Sequence, residues 1–249
     1  MITNQISLRV LPTLLIATNT RANAMATRAY LFDVDGVLYD SMPQHARSWV
    51  KAFREKGLRL PAKFVYECEG MPEASAVKYL ASAIKQKPTR RTLMTIVERK
   101  REIYNNYQKP KFIRGARSLI RYLQKEKCRI CLVTGSYQEK TIKNLQKDFN
   151  LRRSDILTGK EVRHGKPHPE PYLKALKKLR LSAHEAIVIE NAPLGIESAK
   201  RAGIACIALT TGLLSRRELQ KHGADTVLKD CAELLEKIKG DFYKIDLTL

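Results

Sequence analysis

The chain has 249 residues, 44% of them hydrophobic, and carries a formal net charge of +21 at pH 7. This length suits one large domain or a core with a modest insertion, and ordinary glycine and proline contents exclude collagen-like and low-complexity chains. The sequence has no run of about 18 apolar residues, so it predicts neither a transmembrane helix nor a membrane partner.

The positive charge is spread along the chain, as at Arg90-Arg91 and Lys177-Lys178. A surplus of this size draws anions such as phosphate esters, polyphosphates or nucleic acid. Because the sequence has no aromatic-interleaved RNA motif and no C2H2 pattern, a solvated basic surface is favoured over nucleic-acid binding. The charge alone does not choose among these anions, and we expect a monomer.

The first 28 residues differ from the rest of the chain. They contain three arginines but no acidic residue, and residues 10–17 form a short apolar patch interrupted by Pro12. A loosely packed arm, a targeting peptide and an over-called start, with Met25 as the true first residue, all fit these features. We expect a loosely packed arm over residues 1–28 and a cytoplasmic location.

The cysteines favour a reducing compartment. Cys128 and Cys131 form a CxxC pair, but it lies in the predicted strand Cys128–Thr134, where the two side chains face opposite ways. No second Cys or His pair stands at zinc spacing. We therefore expect reduced, mostly buried thiols. The five cysteines are Cys68, Cys128, Cys131, Cys206 and Cys231.

Hydrophobic periodicity predicts a strand at Tyr30–Val34 and then only helices up to Pro110. The helices of this first half are predicted at Met42–Glu55, Pro61–Cys68, Glu73–Lys85 and Thr89–Gln108. The helices of the second half are predicted at Leu119–Lys127, Gln138–Phe149, Pro169–Leu179, Leu194–Ala202 and Arg216–His222. The strands of the second half are predicted at Arg129–Thr134, Ala186–Glu190, Ile204–Leu209 and Thr226–Leu228.

The alternation of strands and helices after Pro110 indicates an α/β fold with a parallel, doubly wound sheet. The helices of residues 42–109 would then form a cap inserted after the first strand. Residues 29–41 and 110–249 would form the core. The connections at Ser41–Gln44 and Gln108–Phe112 are the expected hinges.

Four polar motifs follow apolar strands or precede a helix, and open α/β sheets bind ligands at the carboxyl ends of their strands. Paired acids at such an edge are costly unless they hold a cation or do chemistry. Each motif alone is a weak signal, but the four in this order form a strong constellation. In chain order they are Asp33-x-Asp35-Gly36, Thr134-Gly135-Ser136, the Pro-bracketed turn around Lys166, and Glu190-Asn191.

In these motifs the chain resembles the haloacid dehalogenase superfamily of phosphotransferases, from about Ala29 to Ile238. The resemblance is closest to the branch with a small helical cap, which includes β-phosphoglucomutase and many sugar phosphatases. It implies a Rossmann-like core with Mg²⁺ as cofactor. Asp33 is the implied nucleophile, and Asp35 is the implied general acid and base. The residues implied to hold the phosphoryl group are Thr134, Gly135, Ser136 and Lys166. Those implied to bind Mg²⁺ are Asp33, the backbone carbonyl of Asp35, Glu190 and Asn191.

Elementary electrostatics agrees with these roles. A carboxylate attacks an anionic phosphate only if the repulsion between them is cancelled, and Mg²⁺ with Lys166 can supply that cancellation. A step of two residues places Asp33 and Asp35 on one face of an extended segment. One acid can then face phosphorus while the other reaches the leaving oxygen.

Two departures from the sugar-phosphate branch point to a substrate. Most relatives have aspartate where this chain has Asn191, which still offers an oxygen but removes one negative charge from the metal site. Neutral drift or an impaired enzyme is the alternative explanation of this asparagine. The mutases have Lys-Gly in the cap loop where this chain has Glu69-Gly70. A cap carboxylate would repel the second phosphate group of a bisphosphorylated sugar. It could instead coordinate a metal ion that is also bound to a small, highly charged substrate. Inorganic pyrophosphate fits, although Glu69 as a solvated acid at a helix end is the alternative.

In these features the chain also resembles the inorganic pyrophosphatases of the superfamily. They share the run Asp-Ser-Met-Pro-x-His, which stands here at Asp40–His45. His45 is either a substrate ligand or a hinge histidine packed on Trp49. The predicted function is a Mg²⁺-dependent phosphohydrolase acting on pyrophosphate through an aspartyl-phosphate. The enzyme alternative is a sugar-phosphate phosphatase or a β-phosphoglucomutase-like enzyme, and the other alternative is a non-catalytic basic protein that binds polyanions.

Overall fold

The computed structural model describes residues 29–136 and 138–240 of the chain. The expectations for residues 1–28 lie outside the described residues. The strands are β1 (Ala29–Phe32), β2 (Tyr39–Asp40), β3 (Lys111–Phe112), β4 (Arg129–Val133), β5 (Ile156–Leu157), β6 (Ala186–Glu190), β7 (Ala205–Leu209) and β8 (Thr226–Leu228). The helices are α1 (Met42–Arg54), α2 (Lys63–Glu67), α3 (Glu73–Ala83), α4 (Arg90–Asn105), α5 (Ala116–Lys125), α6 (Glu139–Phe149), α7 (Glu170–Leu179), α8 (Pro193–Arg201), α9 (Arg216–Lys221) and α10 (Cys231–Lys239).

Among the described residues, six strands form one parallel sheet in the order β5-β4-β1-β6-β7-β8. Phe32 of β1 is aligned with Leu132 of β4 on one side and with Ile189 of β6 on the other. All residues of β1, β6 and β7 are buried, which is typical of parallel strands covered on both faces. The predicted doubly wound α/β fold is confirmed.

The two faces of the sheet have separate apolar layers. Phe32 and Leu132 point to the layer that contains residues of α5, α6 and α10. Leu31 and Cys131 point to the opposite layer, which contains residues of α7, α8 and α9. The period-two alternation of each strand therefore feeds both layers, and the helices are amphipathic because each covers one of them.

The helices α1 to α4, which we call the cap, are inserted between β2 and β3. These two short strands pair antiparallel, with Tyr39 opposite Phe112, and join the two connections to the rest of the chain. The cap has an apolar cluster of its own, centred on Trp49, Phe53 and Leu80. The domain boundaries at residues 42 and 109 stay a prediction.

Some predicted element boundaries are wrong. The predicted strand Tyr30–Val34 ends at Phe32, so Asp33 and Val34 lie just beyond it. The predicted helix Pro61–Cys68 covers only Lys63–Glu67. The end of α4 lies at Asn105 rather than Gln108. The apolar spacing of the sequence can continue beyond the last backbone hydrogen bond of a helix or strand. Periodicity therefore shows where an element lies but does not fix its first and last residues.

The sequence did not predict β2, β3, β5 or α10. Each of these strands is only two residues long, too short to display a period of two. Helix α10 does have a recognisable start signal, because the Asp230 carboxylate accepts hydrogen bonds from the N–H groups of Ala232 and Glu233. Within the described residues, no helix combines the length and apolar character needed to span a membrane.

The predicted burial of the cysteine side chains is confirmed. All five are free, and all but the half-buried Cys128 are buried. Cys131 contributes to one apolar layer while Cys128 packs against the other, as the alternation of a strand requires.

Candidate active site

The central strands β4, β1 and β6 end side by side, and the predicted site residues follow them. Asp33 comes directly after β1, Thr134 directly after β4, and Asn191 directly after β6. The chain just after β1 is hydrogen-bonded to β6, because the N–H of Asp33 donates to the carbonyl of Ile189 at 3.0 Å. The parallel topology thus gathers side chains that are far apart in sequence.

The buried Lys166 ammonium bridges two carboxylates at the strand ends, those of Asp33 and Glu190. Its Nζ donates to Asp33 Oδ1 and, at 2.6 Å, to Glu190 Oε1. Glu190 Oε1 also accepts a hydrogen bond from the Tyr172 hydroxyl at 2.7 Å. Burial would lower the pKa of Lys166, but Asp33 and Glu190 raise it, so the amine stays charged. Burial raises the pKa of Asp33 to about 8 although Lys166 opposes the rise.

Asp35 faces the cap instead. Its Oδ1 accepts from the Ser41 hydroxyl at 2.5 Å and lies 3.3 Å from His45 Nε2. Burial would raise the pKa of Asp35, but His45 and Ser41 lower it. Burial and the nearby Lys100 lower the pKa of His45 below 6.5. Near neutral pH the imidazole is therefore neutral, and it can donate to the carboxylate without adding charge.

His45 has two predicted roles. The role of substrate ligand stays a prediction, and for the role of hinge histidine the structure gives Tyr104 rather than Trp49 as the stacking partner. The imidazole stacks on Tyr104, with ring centroids 4.1 Å apart and planes 18° from parallel. Trp49 lies edge-on to Phe53 instead. The reason is that α1 packs against α4, which carries Tyr104. His45 thus links the cap to Asp35.

Glu69 is buried, so the alternative that it is a solvated acid at a helix end is wrong. Its Oε1 accepts a hydrogen bond of 2.9 Å from Asn191 Nδ2, which joins the cap loop to the end of β6. Burial, followed by the nearby Asp33 and Glu190 carboxylates, raises the pKa of Glu69 well above its usual value even though Asn191 opposes the rise.

The contact between Glu69 and Asn191 depends on Gly36. This residue has a φ of +79°, and a Cβ there would lie 2.2 Å from Asn191 Nδ2 and 2.9 Å from Glu69 Oε1. No L-residue with a side chain fits this space without displacing one of the two groups. The glycine after the paired acids is therefore needed for conformation and for space.

The predicted phosphate-binding residues divide between two adjoining cavities. Gly135 and Ser136 line the larger cavity together with Asp33, whereas Thr134 and Lys166 line the smaller one, which Gly135 also lines. The hydroxyl of Thr134 accepts a hydrogen bond of 3.0 Å from the N–H of Ser136, which shapes the turn after β4. The structure thus brings all four residues to one end of the sheet.

The larger cavity has a volume of about 100 Å³ and lies between the cap and the core. It contains one cation that the sequence analysis missed. Lys100 is 3% exposed, its Nζ lies 2.8 Å from Glu73 Oε1, and it stands 5.3 Å from the centroid of the Trp49 ring. The signal was present in the sequence, because Lys100 lies in the apolar stripe of α4 between Ile96 and Ile103.

The donors at the strand ends fit a hard divalent cation. Asn191 Oδ1 is the buried side-chain oxygen that lacks a hydrogen-bond partner among the described residues. Lys166 Nζ contacts carboxylate oxygens of Asp33 and Glu190 at the same end of the sheet. Burial raises the pKa of Asp33 and of Glu69, and a bound cation would favour their ionised forms. Carboxylate and amide oxygens are the ligands that Mg²⁺ takes in proteins. These residues therefore fit the predicted Mg²⁺.

The fold and this group of residues define a class of protein. A family model of haloacid dehalogenase-like hydrolases matches residues 30–209, and the chain belongs to this family. A phosphorylated carbohydrates phosphatase from Thermotoga maritima is 26% identical, over 85% of this chain and 98% of its own length. "Putative pyrophosphatase PpaX" from Caldanaerobacter subterraneus subsp. tengcongensis is 28% identical, over 87% of this chain and 96% of its own length.

Among solved structures, "Putative beta-phosphoglucomutase from Bacteroides vulgatus" is 34% identical to this chain with a TM-score of 0.80. The match covers 87% of this chain and 89% of that one. The protein is therefore a member of the haloacid dehalogenase-like hydrolase family, and most of its length has the same fold as a solved structure.

Proposed function

We propose that this protein is a Mg²⁺-dependent phosphohydrolase that forms an aspartyl-phosphate on Asp33, with inorganic pyrophosphate as its substrate. The observation that carries the choice of substrate is the buried contact between Glu69 and Asn191. It brings a cap carboxylate to the amide that replaces the usual aspartate at the metal site. The number of carboxyl groups at the metal site is then the same as in relatives with aspartate at position 191. One of them, Glu69, belongs to the cap, on the side where the leaving group of the substrate would lie.

In the first proposed step, an Asp33 carboxylate oxygen attacks phosphorus and the bond from phosphorus to the leaving phosphate breaks. The negative charge of the bound substrate would raise the pKa of Asp35 so that it carries a proton, which it donates to the leaving oxygen. In the second step, Asp35 takes a proton from a water molecule, whose oxygen attacks the same phosphorus and releases Asp33. The hydrogen bonds from Ser41 and His45 orient Asp35 for both transfers.

Lys166 would balance charge in both steps. It contacts the proposed nucleophile and is held by Glu190, so it can bind a phosphoryl oxygen without leaving Asp33. Bound Mg²⁺, held by Asp33, the carbonyl of Asp35, Glu190 and Asn191, would neutralise the phosphoryl oxygens and keep Asp33 ionised.

Size and charge of the cavity support pyrophosphate. Its volume of about 100 Å³ lies well below the roughly 300 Å³ at which sites for drug-sized ligands begin. The buried Lys100 on the cap side can pair with a second phosphate, while Glu69 can coordinate a cation chelated by that phosphate. A substrate with two phosphates and little else matches these features.

The second candidate is a sugar-phosphate phosphatase or a β-phosphoglucomutase-like enzyme. The names of the Thermotoga maritima and Bacteroides vulgatus proteins favour it. A cap that opens further than in this conformation would admit a larger substrate. The buried Glu69 argues against a mutase, because a mutase would need to hold the second phosphate group of a bisphosphorylated sugar beside that carboxylate.

Phosphate release by the purified protein with Mg²⁺ tests the proposal. Pyrophosphate would be compared with a panel of sugar phosphates and β-glucose 1-phosphate, with the Asp33→Asn variant as the blank. We expect kcat/KM to be highest for pyrophosphate. A higher value for a sugar phosphate would keep the mechanism and overturn the choice of substrate. Absence of release from every compound would favour the non-catalytic, polyanion-binding alternative.

A further inference from the structure

Two histidines and one glutamate form a cluster on the loop that carries Lys166, outside the proposed active site. One donor atom of His164, one of His168 and one of Glu170 all lie within 4.8 Å of one another. Both histidines are exposed, and each is two residues from Lys166 in sequence. They form a His-x3-His pair, so the expectation that no second Cys or His pair stands at zinc spacing is wrong. Glu170 is the first residue of α7. The cluster thus spans both ends of the loop.

One distance within the cluster is close to that between two ligands of one metal ion. His164 Nδ1 lies 3.0 Å from Glu170 Oε2. Two ligands at about 2.0–2.1 Å from a tetrahedral Zn²⁺ would be about 3.3 Å apart. The His164 and His168 ring centroids are 4.6 Å apart, so the second imidazole lies on the same side of the loop. A small shift of His168 would complete a three-ligand set.

The carboxylate is held in place by other groups. Glu170 Oε1 accepts from the N–H of Arg163 at 2.9 Å and lies 2.7 Å from Lys174 Nζ. Its Oε2 accepts from the N–H of His164 at 2.9 Å. Outer contacts of this kind orient a metal-binding carboxylate and strengthen its site. His168 Nδ1 accepts a hydrogen bond of 3.1 Å from the N–H of Glu170, which a metal ion at that nitrogen would replace.

We propose that His164, His168 and Glu170 bind a first-row transition-metal ion such as Zn²⁺ at a site separate from the predicted Mg²⁺ site. Imidazole nitrogens favour such ions, whereas Mg²⁺ prefers oxygen ligands alone. Three protein ligands leave at least one position for water. Binding would hold both ends of the loop together and so restrict the movement of Lys166.

Equilibrium dialysis with Zn²⁺ in saturating Mg²⁺ tests this site, because the Mg²⁺ occupies the oxygen ligands of the other site. The wild-type protein should bind one Zn²⁺ that His164→Ala and His168→Ala bind at least about tenfold more weakly. His184→Ala removes another exposed histidine, from the connection before β6, and should bind Zn²⁺ like the wild type. Asp33→Asn should also keep this Zn²⁺.

Equal Zn²⁺ affinity of wild type, His164→Ala and His168→Ala would overturn the proposal. So would an equal loss in His184→Ala, because binding would then belong to surface histidines in general. Melting temperatures in EDTA check that the variants are folded, since neither exposed imidazole should contribute much stability without metal. Zn²⁺ should then raise the melting temperature of the wild type but not that of His164→Ala.

Discussion

Asn191 Nδ2 donates a buried hydrogen bond of 2.9 Å to Glu69 Oε1, while Asn191 Oδ1 has no hydrogen-bond partner among the described residues. One amide thus joins the end of β6 to the cap and still offers an oxygen to a cation. We infer that metal binding and cap position depend on each other through this side chain.

The Asn191→Asp variant should bind Mg²⁺ more tightly, by on the order of tenfold, because a carboxylate adds a negative charge to the metal site. It should also weaken cap closure, since an aspartate side chain at this position cannot donate to Glu69 and would repel it. Mg²⁺ titration by calorimetry measures the first effect. Asn106→Asp adds the same charge at the exposed end of α4 and serves as the control. Unchanged Mg²⁺ affinity would mean that residue 191 is not a ligand.

The Glu69→Gln variant should be more stable than the wild type in EDTA at pH 7. Burial raises the pKa of Glu69 above the 4.5 of an unperturbed glutamate, so the folded state favours the protonated form. Its contribution to stability is fully present below pH 4.5 and is lost as the pH rises through the folded pKa. A glutamine keeps the acceptor for Asn191 without this loss. We expect a gain of about 1 kcal/mol, or roughly 2–4 °C.

Thermal melts at several pH values measure this gain, which should shrink as the pH falls towards 4.5. Glu98→Gln, on the exposed side of α4, should change the melting temperature little at any pH. If Glu69→Gln lowered stability in EDTA at pH 7, the carboxylate would be a net stabilising partner of Asn191 and the inferred rise in its pKa would be wrong.

Loss of the cap carboxylate should change substrate preference. Glu69→Ala is expected to reduce kcat/KM for pyrophosphate far more than for a simple phosphate monoester, because only the former presents a second phosphate to the cap. Steady-state kinetics with both substrates gives the ratio. Equal losses on the two substrates would make Glu69 a structural residue.

The Asp33→Asn variant should lose more than about a thousandfold in turnover, because an amide cannot accept the phosphoryl group. Its fold should persist, since the amide still offers an oxygen to Lys166. Phosphate release measures the loss, and Asp40→Asn, an exposed acid on β2, is the matched control. Turnover near the wild-type rate would rule out an aspartyl-phosphate on this residue.

The buried lysine of the cap gives a further prediction. Lys100→Met should raise KM for pyrophosphate by about tenfold or more, because the second phosphate would lose its cationic partner. It should also leave the Glu73 carboxylate with less compensation, so some stability is lost. Lys78→Met, on the exposed side of α3, is the control for hydrophobic substitution. An equal rise in KM for a monoester would show that Lys100 shapes the cap rather than reads the second phosphate.

Sequence reasoning predicted the core of this site because the site follows from strand order. Asp33, Thr134 and Glu190 come directly after or at the end of apolar strands, and parallel strands carry such residues to one edge. It missed Lys100 because a lysine in a helix is usually solvated, and burial is a property of what packs around it. It misassigned the ring that packs on His45 because that contact joins two different helices.

The sequence by itself determined the α/β class, the inserted helices and the polar residues that end the strands, since these depend on local periodicity and on chain order. Only the tertiary structure decided that Glu69 is buried against Asn191, that His45 stacks on Tyr104 and that Lys100 lines the cavity. Those contacts join the cap to the core, or helix to helix. They depend on the relative position of whole elements, which no local pattern encodes.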